Sequence, residues 1–192
     1  MKRLTWIPAA VAVASVSLVV LAPREARADV ALAGDFDIVI PVDQAPQRYL
    51  STGAGFDVRL GYRFRIPYAN VAVVPEIAGG YTDLGAHLVR VRPGLRLAIG
   101  RLLVPFAYGH VGWAWTSFDP LGSRDPSPST PFTSTQGASF DFGAGVDITI
   151  LRRLTVGAHI GYNIVDVGAT TRPTLDWRSK WMSLGLNATF YL

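Results

Sequence analysis

The sequence predicts an all-β protein: eight antiparallel strands in up-and-down order, closed into a transmembrane β-barrel. Three observations predict it. Apolar and polar residues alternate with a period of two through almost all of the chain after residue 28, as they do where successive side chains point to opposite faces of a sheet. Glycine and arginine recur on the polar face of that alternation, which suits a crowded interior better than a wetted surface. The connections between the strands are long at one end and tight at the other, with the short 83–86 connection breaking the trend.

The first 28 residues stand apart. Lys2 and Arg3 precede an uncharged apolar run, Ala9 to Ala22, and Ala26-Arg27-Ala28 supplies a small-x-small site. This order reads as a secretory signal peptide cut before Asp29. The run is short for a spanning helix, which needs about 20 residues. The remaining 164 residues, 29–192, suit one domain. They carry 14 basic and 13 acidic residues, so most of the precursor's net charge of +4 belongs to the leader. The basic balance of the precursor is therefore no argument for a nucleic-acid surface. The chain has no cysteine, which excludes disulfides, thiolate metal sites and a lipidated N-terminal cysteine. After the leader there is one lysine, Lys180, and one glutamate, Glu76; the other charges are Arg and Asp.

Five strands alternate cleanly. Over residues 54–65, Ala54, Phe56, Val58, Leu60, Tyr62 and Phe64 oppose Gly55, Asp57, Arg59, Gly61, Arg63 and Arg65. Over 87–100, Val89, Val91, Leu95, Leu97 and Ile99 oppose Arg90, Arg92, Gly94 and Arg96. Residues 138–149 set Phe140, Phe142, Ala144, Val146 and Ile148 against Asp141, Gly143, Gly145 and Asp147. Residues 154–165 set Val156, Ile160, Tyr162 and Ile164 against Gly157, His159, Gly161 and Asn163. Residues 180–192 set Met182, Leu184, Leu186 and Phe190 against Ser183, Gly185, Asn187 and Thr189. Three more strands are mixed. Residues 30–41 place Leu32, Phe36, Ile38 and Ile40 opposite Asp35, Asp37 and Val39, and residues 71–82 place Ile77 and Tyr81 opposite Glu76, Gly80 and Thr82. Residues 103–116 carry glycine and aromatics on both parities; their faces stay open, and a bulge near Gly109 would switch them.

The connections fall at residues 42–50, 83–86, 117–137 and 166–177 on one end, and at about 66–70, 101–102 and 150–153 on the other. The 117–137 stretch is rich in Pro, Ser and Thr, a composition that predicts a mobile loop.

Alternation alone does not orient the faces. A soluble barrel is apolar inside, and a membrane barrel is the reverse. Glycine weakens a solvent-facing strand but makes room inside a narrow lumen. Arginine's planar fork pairs carboxylates in enclosed space. Aromatics gather near the strand ends, with Trp113, Trp115, Phe118, Trp177 and Trp181 toward the long loops and Phe64, Tyr68, Phe106 and Phe190 toward the turns, as interfacial girdles do. The membrane orientation follows. Buried arginine is costly unless paired, so Arg59, Arg63, Arg65, Arg90, Arg92 and Arg96 are expected to meet Asp35, Asp37, Asp57, Glu76, Asp141 and Asp147 in a lumen network that plugs the barrel.

Two segments carry a family resemblance. Pro105-Phe106-Ala107-Tyr108-Gly109-His110-Val111-Gly112 resembles the Pro-aromatic, Gly-rich central strand of the small bacterial outer-membrane β-barrels, the OmpA transmembrane domain and OmpX type. Leu184 to Leu192 resembles their closing strand, with Leu192 where the family usually ends in Phe. The resemblance covers most of residues 30–192. It implies an outer-membrane location, surrounding membrane lipid, and recognition of the last strand by the insertion machinery. No peptidoglycan-binding domain follows the barrel, so a tether is not implied.

Chemistry is sparse. His87, His110 and His159 form no metal-ligand pair, and no cofactor motif is present. His110 with Asp141 or Asp147 and a serine is a conceivable hydrolase set, but no spacing supports it; lumen hydrogen bonding is the expected role of His110 and His159. Gly53-Ala54-Gly55 lacks a phosphate-loop context, and Asn187-Ala188-Thr189 lies within a strand. The expectation is a non-enzymatic outer-membrane protein with a structural or surface-interaction role carried by the 117–137 and 166–177 loops. The alternatives are a narrow, OmpW-like channel, a lipid-modifying outer-membrane enzyme, and a soluble periplasmic ligand-binding barrel. No nucleic acid is expected, and an extracellular partner is not legible.

Overall fold

A computed structural model describes residues 28–42, 51–66, 69–118, 135–168 and 177–192. The expected signal peptide and the tips of the three longest connections lie outside the described residues, as does the expected mobility of the 117–137 stretch. The strands are β1 (Ala28–Pro41), β2 (Gly53–Ile66), β3 (Val71–Asp83), β4 (Ala86–Ile99), β5 (Leu103–Phe118), β6 (Thr135–Leu151), β7 (Leu154–Gly168) and β8 (Trp177–Tyr191). Each pairs antiparallel with its neighbour, and β1 closes on β8 from Ala31 opposite Tyr191 to Pro41 opposite Trp181. Closure leaves no free sheet edge, so the ladder pairs the backbone polar groups within the protein, as an apolar medium requires.

The alternation maps onto the two walls. Phe36, Phe56, Leu60, Ile77, Phe142, Ile160 and Leu186 stand on the outside, while Asp35, Asp57, Arg59, Arg92 and Asp147 are buried inside. An apolar exterior this continuous exceeds what a water-exposed surface tolerates, and it suits lipid. A soluble barrel would carry these residues the other way round. The 103–116 ambiguity resolves the same way. Phe106, His110, Ala114 and Thr116 are buried inside, while Trp113 and Trp115 are exposed. No bulge occurs near Gly109, because β5 keeps one continuous register with β6 from Leu103 to Thr116. A register shift occurs instead at the β6–β7 turn, between Thr149 and Leu151.

The strands also run further than their side-chain pattern predicts. β5 and β6 continue to Thr116 opposite Thr135, and β7 pairs with β6 up to Gly168 opposite Gln136, into stretches expected to be loop. Backbone pairing does not end where the apolar stripe ends. A tilted strand needs only about 9–11 residues to span the apolar band, so strands of 13 to 17 residues carry the barrel wall past it.

Candidate functional site

The lumen is where the polar chemistry gathers, and it is built in layers. At the outer end Trp181, only 1% exposed, packs with Val39, Leu84, Leu88, Ala114 and Val165. Leu84 belongs to the two-residue β3–β4 turn, whose Gly85 takes φ 84°, the left-handed region glycine favours. Ser51 donates its backbone N–H to the Leu84 carbonyl at 2.9 Å, holding the turn in place. This apolar cluster lies across the top of the charged layers.

Below it runs one connected network with a side chain from every strand. Arg59 grips Asp35 with a two-bond fork, Nε to Oδ2 at 2.7 Å and Nη2 to Oδ1 at 2.8 Å. Its Nη1 reaches Glu76 at 3.2 and 3.4 Å. His110 sits between Glu76 Oε1 and Asp141 Oδ2, each 3.0 Å from a ring nitrogen. Arg92 lies 3.1 Å from Asp141 Oδ1, as an ion pair whose alignment falls short of a hydrogen bond, and donates to Asp57. Arg90 stands 3.5 Å from Asp57 and donates to Asn163 at 2.7 Å and Thr82 at 3.0 Å. Asn163 then donates to Ser183 at 3.3 Å. Separately, His159 lies 3.0 Å from Asp37, and Arg96 donates to Asp147, which also accepts from Asn187 at 2.8 Å. Among the described residues, the buried lumen holds four arginines and two histidines against six carboxylates.

The lumen glycines make this packing possible. A Cβ on Gly80 would fall 1.6 Å from Asp57 Oδ1, and one on Gly185 would fall 1.9 Å from Asp37 Oδ1. Gly143 and Gly161 admit Tyr108, whose hydroxyl would stand 2.6 and 2.5 Å from their added Cβ atoms. The turn end is filled as well. Arg96 lies over the Phe106 ring at 3.7 Å, and Arg63 lies over Tyr191 at 3.3 Å, beside buried Ala31 and Val74. A small cavity of about 20 Å³ remains among Asp35, Asp37, Tyr108 and His159; it has room for about one water molecule.

No protein-family model matches the chain, and no curated protein matches it by sequence. Solved structures do. Neisserial surface protein A aligns with a TM-score of 0.57 at 10% identity, over 85% of this chain and 98% of that one. The N-terminal β-barrel domain of Pseudomonas aeruginosa OprF aligns with a TM-score of 0.52 at 13% identity, over 88% of this chain and 100% of that one. The chain has the fold of the small outer-membrane β-barrels. The outer membrane enzyme PagL also aligns, with a TM-score of 0.47 at 15% identity, over 83% of this chain and 98% of that one.

Within this outer-membrane-type barrel the expected network residues divide. Arg59, Arg90, Arg92, Arg96, Asp35, Asp37, Asp57, Glu76, Asp141 and Asp147 are all buried in the lumen. Arg63 and Arg65 are not part of that network. Arg63 donates to Asp29 at 2.5 and 3.2 Å, and Arg65, 55% exposed, lies 3.6 Å from the same carboxylate. Both sit past the lumen's charged layers, at the end where β2 leaves the barrel. Two girdle assignments also change. Trp181 and Phe106 face inward, because each shares the parity of its strand's polar residues, Ser183 and His110. Trp113, Trp115 and Phe190 do face outward, Phe64 is half-buried, and the side chains of Tyr68, Phe118 and Trp177 lie outside the described residues.

His110, Asn163 and Thr82 in the network, and His159 beside it, are lumen residues that charge alone did not single out, although each lies on its strand's polar parity. His110 has a carboxylate at each ring nitrogen, which leaves neither for a serine. Among the described residues, no group of three or more His, Asp or Glu is arranged to hold a metal ion.

Proposed function

We propose that the chain is a non-enzymatic outer-membrane protein: a sealed barrel that displays its long connections, with a structural or surface-interaction role. The observation that carries this reading is the filled lumen. An apolar layer around Trp181, a charged network drawn from all eight strands, and arginines lying over Phe106 and Tyr191 follow one another along it. Such a lumen supports a scaffold more than a conduit. Chemistry is then left to the segments between β1 and β2, β5 and β6, and β7 and β8, because connections vary while the barrel holds them in place. The leader-like first 28 residues and the β8 strand fit export and delivery to the insertion machinery, and the apolar exterior fits membrane lipid as the immediate partner.

The test is fractionation followed by electrophysiology. Expression of the precursor is expected to give an outer-membrane band that shifts on boiling, and the purified barrel is expected to show no conductance steps in planar bilayers. Sustained single-channel steps from the wild-type protein would overturn the sealed reading in favour of a narrow channel. Deletion of residues 119–134 is expected to leave the heat shift intact while removing any surface binding.

A further inference from the structure

Charge is sorted along the barrel axis. Beyond the Arg96–Asp147 pair, the described residues at the end where β1 starts and β8 finishes carry five arginines, Arg63, Arg65, Arg101, Arg152 and Arg153, against Asp29. In the sequence, the long connections and the residues beside them carry five basic and six acidic side chains. Arg63 is committed to Asp29 and Tyr191. The other four are exposed, on the β2–β3, β4–β5 and β6–β7 ends. Arg101 is steadied by its Nε donating to Asn70 at 2.8 Å across two neighbouring turns.

The depth of these arginines matters as much as their sign. Arg65 lies on the lumen parity of β2, 3.6 Å from Asp29. Arg101 instead sits beside Leu102 (71% exposed) and Leu103, and Arg152 beside Leu151 (62% exposed) and Ile150, with Arg153 next in the same turn. An arginine there keeps its stem along the apolar band while its guanidinium reaches headgroup level. A guanidinium forks onto phosphate oxygens as it does onto carboxylate. Three at that level, on two turns at the edge of an apolar wall, complement anionic phospholipid.

We propose that Arg101, Arg152 and Arg153 form a collar that binds the phosphodiester headgroups of anionic phospholipids in the leaflet at the turn side of the barrel. The inference rests on the membrane-barrel reading. The precursor is expressed, the barrel is purified in detergent micelles, and phosphatidylglycerol or phosphatidylethanolamine is added before native mass spectrometry. The wild type is expected to retain phosphatidylglycerol preferentially. The R152Q/R153Q and R101Q variants are expected to lose about fivefold of that preference per arginine, and R152K/R153K to keep most of it. Equal retention of the two lipids by the wild type would overturn the proposal, as would glutamine variants with the wild-type preference. Displacement of the lipid by inorganic phosphate would assign the collar to free phosphate instead and overturn it as stated. A boiling-shifted gel band separates the two failures. Without it in the wild type the barrel reading fails; with it, and no lipid preference, only the collar does.

Discussion

Arg59→Met probes the charged network at its best-made joint. Methionine keeps an unbranched apolar stem and removes all five donors. Arg59 is 6% exposed and holds Asp35 by two bonds of 2.7 and 2.8 Å and Glu76 by weaker ones of 3.2 and 3.4 Å. Removing one partner of a buried ion pair costs about 3–5 kcal/mol, because the other charge stays buried without compensation. Glu76 retains His110 at 3.0 Å, so the penalty falls mainly on Asp35. The expected loss is therefore at the lower end, about 3 kcal/mol, or roughly two decades in the unfolding equilibrium. Neutralising the stranded carboxylate in the Arg59→Met/Asp35→Asn double variant is expected to recover about half of it. Arg65→Met supplies the contrast: its guanidinium is 55% exposed and 3.6 Å from Asp29, and an exposed pair is worth less than about 1 kcal/mol. The assay is urea unfolding from phosphatidylcholine vesicles, followed by tryptophan fluorescence and the heat-shifted band, with midpoints compared at equal slope. An Arg59→Met barrel as stable as Arg65→Met would refute the reasoning, and so would a double variant no better than the single.

Other substitutions test the packing and the facing. Gly94→Ala would put a Cβ 2.1 Å from His110 Cδ2 and 2.4 Å from the Gly109 carbonyl, so a loss of about 1–3 kcal/mol is expected in the same unfolding assay. Gly79→Ala meets nothing within 4 Å and is expected to stay within about 0.5 kcal/mol of wild type. Trp181→Ala removes the largest member of the outer apolar layer and is expected to cost about 3–5 kcal/mol. In variants keeping a single tryptophan, brominated lipid is expected to quench Trp113 and Trp115 strongly and Trp181 weakly. Equal quenching of Trp181 would put that side chain outside and dismantle the outer layer.

What could be read from the sequence was whatever repeats locally. A period of two assigns faces one strand at a time, so Asp35, Asp57, Arg92 and Asp147 were identifiable as a shared wall before any partner was known. The same rule reached Trp181 and Phe106, but their aromatic character suggested a girdle; parity, not residue type, decides the side of the wall. Partner choice was not legible. Asp35 stands opposite both Asp57 and Asn187, yet its arginine is Arg59, two residues further along β2 on the same face. Arg63 shares a face with Arg59 but lies past the charged layers, where among the described residues its carboxylate partner is Asp29. The joining of His110 to Glu76 and Asp141 spans three strands and depends on the stagger of all of them. Side-chain alternation follows from the geometry of a single extended strand, and the sequence by itself determined that much, together with the charges and the apolar stripe. Which charges meet, where the lumen closes and how far the strands run depend on register and on the closure of β1 against β8, long-range properties that only the tertiary structure decided.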